Sequence, residues 1–124
     1  MKQRILICGD RHWADKDMIR AALIAFGVEN ILCVIEGEQQ GADILAREAA
    51  EELHITVLRF PANWTKYGKA AGPIRNKEML IAGAPTLVWA FHDFNQASRG
   101  TANMIHQAKL SDLPCQMFSH NDSE

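Results

Sequence analysis

The chain has 124 residues, the length of one domain, and hydrophobic residues make up 48% of it, as in ordinary globular proteins. A formal net charge of −2 excludes a protein whose overall field draws it to nucleic acid or to an anionic membrane. The apolar runs are only as long as strands, and the N-terminus leads into a strand pattern rather than a signal peptide. We therefore expect a cytoplasmic domain that does not associate with membranes.

Five short apolar runs recur along the chain. They are Ile5–Cys8, Ile31–Ile35, Ile55–Phe60, Thr86–Phe91 and Cys115–Phe118. Their apolarity is continuous rather than alternating, which predicts strands buried on both faces. Helical patterns separate the runs, and this alternation predicts a three-layer α/β fold with one parallel sheet of about five strands. We expect a single domain over residues 1–118 and a polar tail over residues 119–124.

Four stretches between these runs have apolar residues at helical spacing. They lie near residues 18–26, 42–53, 73–83 and 102–108. Asp15 is the expected N-cap of the first helix, because its side chain can accept a hydrogen bond from an N–H group of the first turn. Pro73 is expected to open the third helix in its first turn.

The strand-to-helix loops are where function is expected, because ligands of open α/β sheets bind beyond the carboxyl ends of the strands. Two glycine-rich loops lead into helices, where free N–H groups and the helix dipole favour an anion. The residues of these loops that we expect to bind a ligand are Gly9, Gly37, Gly41, Ala42, Ser98, Gly100 and Thr101. Arg11, Arg75 and Arg99 are predicted to neutralise phosphate through bidentate contacts.

Aromatic and polar side chains in the same loops are candidates for binding the rest of a nucleotide. Trp13 and Trp64, together with Tyr67, are predicted to stack on a base. Asn76 and Asp43 are predicted to hydrogen-bond to the sugar or the base.

Several familiar sites are not indicated. The sequence has no GxxxxGK[ST] stretch and no GxGxxG after the first strand, which disfavours a P-loop NTPase and an ordinary dinucleotide-binding domain. His12, His92 and His106 do not share ligand spacing, so we expect neither a metal site nor a cofactor. The cysteines form no CxxC pair and are expected to be reduced, buried thiols; they are Cys8, Cys33 and Cys115.

A set of short motifs covers nearly the whole chain, from about Ile5 to Cys115. They are Gly9-Asp10-Arg11, Gly37 with Gly41-Ala42-Asp43, Trp64 with the segment 67–76, Ala90-Phe91, and Arg99-Gly100-Thr101. The AGPIRN stretch at residues 71–76 is the most specific of them. In these motifs the sequence resembles the YspA-like, cpYpsA-related branch of the SLOG superfamily, which is named for the Smf/DprA and "lonely guy" proteins. The resemblance implies a Rossmann-like domain that binds nucleotides or nucleotide-derived ligands.

Some proteins of that superfamily are phosphoribohydrolases, which release the base from a nucleoside monophosphate with a loop of the form GGxGTxxE. The glycine-threonine pair is kept here as Gly100 and Thr101, but Met104 stands at the position of the glutamate. Methionine cannot provide acid–base chemistry or stabilise an oxocarbenium-like cation. The resemblance thus supports a phosphate site more than the hydrolase mechanism.

We therefore expect binding of a phosphate-bearing nucleotide or nucleotide-derived small molecule, in a sensor or carrier role. The alternative is a nucleotide N-glycosidic hydrolase that uses Glu36 or Asp43 as its carboxylate. Association with DNA through the lysine-rich segment 66–77 is less favoured, because the composition is near neutral. Related folds often self-associate, and a homodimer is compatible with this interpretation.

Overall fold

A computed structural model describes residues 1–93 and 98–120. Residues 94–97, in the predicted loop after the fourth strand, and residues 121–124, in the predicted tail, lie outside the described residues. The described strands are β1 (Gln3–Gly9), β2 (Ile31–Glu36), β3 (Thr56–Arg59), β4 (Leu87–Phe91) and β5 (Cys115–Phe118). They form one parallel sheet in the order β3-β2-β1-β4-β5, which confirms the predicted α/β fold.

The described helices are α1 (Lys16–Phe26), α2 (Ala42–Glu52), α3 (Trp64–Tyr67), α4 (Ala71–Ile81) and α5 (Arg99–Leu110). Asp15 caps α1 as predicted, since its side chain accepts a hydrogen bond from the N–H group of Met18. The third predicted helix, α4, begins at Ala71, so Pro73 lies within its first turn rather than at its first residue. None of the helices in the described part of the chain is long and apolar enough to cross a membrane.

The central strand, β1, contributes side chains to both layers of the core. Its side chains alternate between the two faces of the sheet, and both faces are covered by helices. One layer contains Ile5, Ile7, Ile19, Leu23, Ala46 and Ala49, from β1, α1 and α2. The other layer contains Leu6, Cys8, Met79, Met104 and Ala108, from β1, α4 and α5. Burial on both faces explains why the strand sequences are apolar without interruption.

The connection after β1 leads towards one edge of the sheet, and the connection after β4 leads towards the opposite edge. The chain moves outward from β1 to β2 and β3, and it then crosses back over β1 to reach β4 and β5. The carboxyl ends of β1 and β4 therefore form the switch point, the usual ligand-binding crevice of such sheets. These ends are joined directly, because the N–H group of Asp10 donates to the carbonyl oxygen of Phe91 at 3.0 Å.

Candidate functional site

The starts of α2 and α5 are both attached to the end of β1. The hydroxyl of Thr101 donates to the carbonyl oxygen of Gly9 at 2.9 Å, and the N–H group of Ala42 donates to the carbonyl oxygen of Asp10 at 3.1 Å. Position 9 must be glycine, because a Cβ atom there would lie 2.2 Å from the carbonyl oxygen of Phe91. The two glycine loops predicted from the sequence thus meet at the switch point.

The loop that leads into α2 is occupied by a side chain from the first turn of that helix. The Oδ2 atom of Asp43 accepts hydrogen bonds from the N–H groups of Gly37 at 3.1 Å and Gln39 at 3.4 Å. Burial raises the pKa of Asp43 to about 6, against the opposing effects of Arg75 and of the two N–H groups. The N–H group of Gly37 is therefore already engaged within the protein. Gly41 has a φ of +91°, and a Cβ atom there would lie 2.4 Å from the carbonyl carbon and oxygen of Arg11.

Arg75 is buried beside this loop, with only 6% of its surface exposed. Its Nη1 atom donates to the carbonyl oxygen of Gly37 at 2.5 Å, and its Nε atom donates to Oδ1 of Asn76 at 3.0 Å. The guanidinium group also forms part of the wall of a depression of about 330 Å³, which we call the first depression. Residues 37–40 and Trp64 complete much of that wall, and Trp64 is 57% exposed.

A row of amide side chains joins α4 to α5. The Nδ2 atom of Asn76 donates to the carbonyl oxygen of Gly100 at 3.2 Å and to Oδ1 of Asn103 at 3.0 Å. Gln107 donates to the same oxygen of Asn103 at 2.7 Å. Asn76 therefore positions Arg75 and the start of α5 rather than offering a free amide. Asn103 and Gln107 were not predicted as site residues, although their spacing of four residues places them on one face of a helix.

The start of α5 is more open than the start of α2. Thr101 is buried, and the Ser98 hydroxyl accepts its N–H group at 3.4 Å and lies 2.9 Å from its hydroxyl. Ser98, Arg99 and Gly100 are exposed. Among the described residues, a Cβ atom at Gly100 would meet no atom within 4 Å. Steric crowding within the described part of the protein therefore gives no reason for glycine at this position.

The carboxyl groups of Glu36 and Glu38 interact at the end of β2, in the loop before α2. Glu36 is fully buried, and its Oε1 atom accepts the N–H group of Glu38 at 2.6 Å. Burial, together with a hydrogen bond to Glu38, raises the pKa of Glu36 to about 9, so its carboxyl is neutral at pH 7. Glu38 has a lowered pKa because it accepts that hydrogen bond and lies beside Arg47, whose Nε is 2.9 Å from Oε1. Both predicted catalytic carboxyls, Glu36 and Asp43, are thus buried and hydrogen-bonded, and their catalytic role stays a prediction.

The two tryptophans predicted to stack on a base have different surroundings. Trp13 is 5% exposed, and the ring of His120 stacks on it with a centroid distance of 4.7 Å. His120 is held by Asp15, 2.6 Å from Nε2, and by Asp93, 2.7 Å from Nδ1. One face of the Trp13 ring is therefore covered by the protein, whereas Trp64 offers exposed aromatic surface.

Three further residues singled out in the sequence differ in their exposure to solvent. Arg11 is exposed and borders a wide groove with Gly41, and Arg99 is exposed at the start of α5. Met104 is 1% exposed, so the side chain at the position of the hydrolase glutamate is part of the apolar core. Within residues 1–93 and 98–120, no group of three potential ligands has the arrangement of a metal site.

His92 follows β4 directly and so lies at the switch point. Both of its ring nitrogens are buried, and neither has a hydrogen-bond partner among the residues that the structure describes. In the sequence, His92 belongs to the predicted loop after the fourth strand, and it was considered as a metal ligand and rejected for lack of ligand spacing. Its position immediately after a predicted strand would have been the signal for a different role.

Comparisons with known proteins agree with this architecture. The X-ray structure of DNA processing protein A (DprA) from Streptococcus pneumoniae matches 98% of this chain with a TM-score of 0.70. The identity is 17%, which shows the fold alone, and the chain covers 52% of that protein.

Sequence comparisons identify the family. The chain is 32% identical over 123 residues to the "Gene 61 protein" of Mycobacterium phage D29, and the match covers 90% of this chain and 93% of the phage protein. Residues 3–67 match the family described as "YspA, cpYpsA-related SLOG family". The chain therefore belongs to the YspA, cpYpsA-related SLOG family, as its motifs predicted.

Proposed function

We propose that this protein binds a phosphate-bearing nucleotide or nucleotide-derived ligand at the carboxyl edge of the sheet. The observation that carries the proposal is the contrast between the two helix starts at the switch point. The side chain of Asp43 takes up the N–H groups of Gly37 and Gln39 in the loop before α2, whereas the described residues at the α5 start are exposed and polar, with the Ser98 hydroxyl as cap and no acidic residue in the first turn. The proposed position of the phosphate is therefore the α5 start.

Several features of the α5 start suit a phosphate group. The helix has 12 residues, and its dipole and first N–H groups favour an anion at Gly100. Arg99 is exposed beside these groups and can add a charged contact. Thr101 fixes the first turn of α5 to Gly9, so the N–H groups of that turn are held in place before a ligand arrives. The absence of a side chain at Gly100 leaves room for close approach.

The first depression is proposed to receive the base. Its volume of about 330 Å³ lies in the range of small-molecule sites. Trp64 provides an exposed aromatic face, and Arg75 provides a fixed guanidinium edge in the wall. Base–aromatic stacking of this kind contributes about 1–3 kcal/mol per base.

The hydrolase alternative receives less support from the same geometry. Glu36 and Asp43 are buried and engaged in hydrogen bonds, and Met104 lies in the core. DprA is named as a DNA processing protein, and for this chain binding of nucleic acid is an outcome that the experiments below distinguish from the proposal. A binding role as a sensor or carrier is therefore proposed.

The first experiment measures the thermal unfolding temperature with AMP, GMP, CMP, UMP and ADP-ribose. A ligand that binds only the folded state raises that temperature. Calorimetry then compares variants: we expect Arg99→Ala and Trp64→Ala to weaken binding about tenfold each. Lys109→Ala, an exposed basic residue in the last turn of α5, is the matched control and should leave the Kd unchanged.

Two results would count against the proposal. No change in unfolding temperature across the panel would reject nucleotide binding. Release of free base, detected by chromatography, would establish the hydrolase alternative instead. In that case Glu36→Gln and Asp43→Asn should abolish release if either carboxyl performs the reaction.

A further inference from the structure

We propose that the ligand contains a second nucleoside unit, which binds beside Tyr67 and is joined to the first unit through phosphate. This inference rests on the proposed function and extends its site along the surface formed by α3 and α4. It predicts that the preferred ligand is a dinucleotide rather than a mononucleotide.

The geometry that carries the inference is a second depression next to the first. It has a volume of about 250 Å³ and is bordered by Tyr67, Ile74 and Glu78. Pro61 and Arg75 form part of the wall of both depressions, so the two spaces adjoin. A ligand with two linked units can fill both while its connecting group passes the Arg75 side.

Each depression has its own exposed aromatic ring. Trp64 and Tyr67 are three residues apart on α3, and they are 57% and 40% exposed. The Nζ atom of Lys66 lies 5.0 Å from the centre of the Tyr67 ring, which places a cation at this aromatic surface. Two aromatic surfaces with a cation beside them suit two bases joined by an anionic link.

The segment of residues 61–77 differs in net charge from the rest of the chain. Residues 61–77 contain four basic residues, Lys66, Lys69, Arg75 and Lys77, and no acidic residue. The rest of the chain has nine basic residues and all 15 acidic ones. Of the four basic residues, Arg75 borders both depressions and Lys66 borders the second, which Glu78 also borders, so the proposal places the phosphate link beside Arg75.

Calorimetry on the full chain tests the inference with AMP, GMP, CMP and UMP, each against its 5′-phosphorylated dinucleotide, pApA, pGpG, pCpC or pUpU. We expect at least one dinucleotide to bind about tenfold more tightly than its mononucleotide, from stacking of the second base. Tyr67→Ala should remove this advantage and Tyr67→Phe should retain it. Tyr67→Leu keeps an apolar side chain and gives a second test if the alanine variant does not fold.

A control variant and the possible outcomes distinguish failure of the second nucleoside unit from failure of the proposed function. Leu110→Ala changes an exposed apolar residue at the far end of α5 and should alter neither Kd. If mononucleotides bind and dinucleotides bind no more tightly, the second unit is refuted and the proposed function stands. If neither class binds, both fail. An oligothymidylate of about 20 nucleotides that binds far more tightly than any dinucleotide, with strong salt dependence, would overturn the two-unit ligand in favour of single-stranded nucleic acid.

Discussion

Glu36→Gln is expected to stabilise the protein at neutral pH. Glutamine has nearly the same shape as the protonated glutamate, its Oε1 can still accept the N–H group of Glu38, and its amide can still donate to the Glu38 carboxylate. The difference lies in the unfolded chain, where glutamate releases its proton at neutral pH and glutamine has none to release.

The magnitude follows from the raised pKa. The ordinary pKa of Glu36 is 4.5 and its folded value is about 9, so the wild-type protein loses stability as pH rises through this interval. At pH 7 the unfolded carboxyl lies about 2.5 pH units above its ordinary pKa, and each unit corresponds to about 1.4 kcal/mol. Folding must therefore reprotonate Glu36 at a cost of about 3 kcal/mol. At pH 5 the same cost is below about 1 kcal/mol.

Urea denaturation at pH 5, 6 and 7 gives the free energy of unfolding of both proteins. The stability difference between Glu36→Gln and wild type should grow by about 2–3 kcal/mol between pH 5 and pH 7. Asp43 also has a raised pKa, but it is present in both proteins and its effect cancels. Glu29→Gln, at an exposed glutamate, serves as the control and should give a difference that does not grow. A constant difference for Glu36→Gln would refute the assignment of a buried, neutral carboxyl.

Substitutions at three further positions test the packing of the site, each by chemical denaturation. Gly41→Ala should cost about 2 kcal/mol or more, because a Cβ atom there meets backbone at 2.4 Å and φ is +91°. Thr101→Val should cost about 1–3 kcal/mol by removing the hydroxyl that donates to Gly9, and Thr101→Ser should recover most of that loss. Asn103→Leu should cost about 1–3 kcal/mol by removing the oxygen that accepts from the amides of both Asn76 and Gln107, whereas Asn103→Asp keeps that oxygen. Equal losses for Asn103→Leu and Asn103→Asp would contradict the acceptor role.

The strands and most helices could be predicted because their signals are local. The apolar run at Ile31–Ile35 becomes β2, and the short polar side chain of Asp15 caps α1. The α3 helix, Trp64–Tyr67, was not predicted, since four residues make about one turn and are too few to show helical periodicity. Pro73 lies in the first turn of α4, as predicted, but the first residue, Ala71, could not be identified because proline is tolerated throughout a first turn.

The candidate site depends on contacts that a sequence pattern does not contain. Parallel topology explains why the loops that hold Gly9 and Thr101, 92 residues apart, open on one edge. By contrast, the covering of Trp13 by His120 and the filling of the α2 loop by Asp43 depend on how side chains pack after the chain folds. Residue type and spacing therefore predicted at which edge of the sheet the site lies. They did not show that the loop before α2 is occupied by Asp43 while the start of α5 is exposed.

The contact between Gly37 and Arg75 has a consequence for how this family can vary. A Cβ atom at position 37 would lie 2.5 Å from Nη1 of Arg75, and the guanidinium cannot easily withdraw because it is buried and hydrogen-bonded. A larger residue at position 37 is thus tolerated only when position 75 also changes. Across an alignment of relatives, the two positions should covary, with glycine and arginine kept or lost together. Such a pair would mark the presence of this site in a chain whose ligand is unknown.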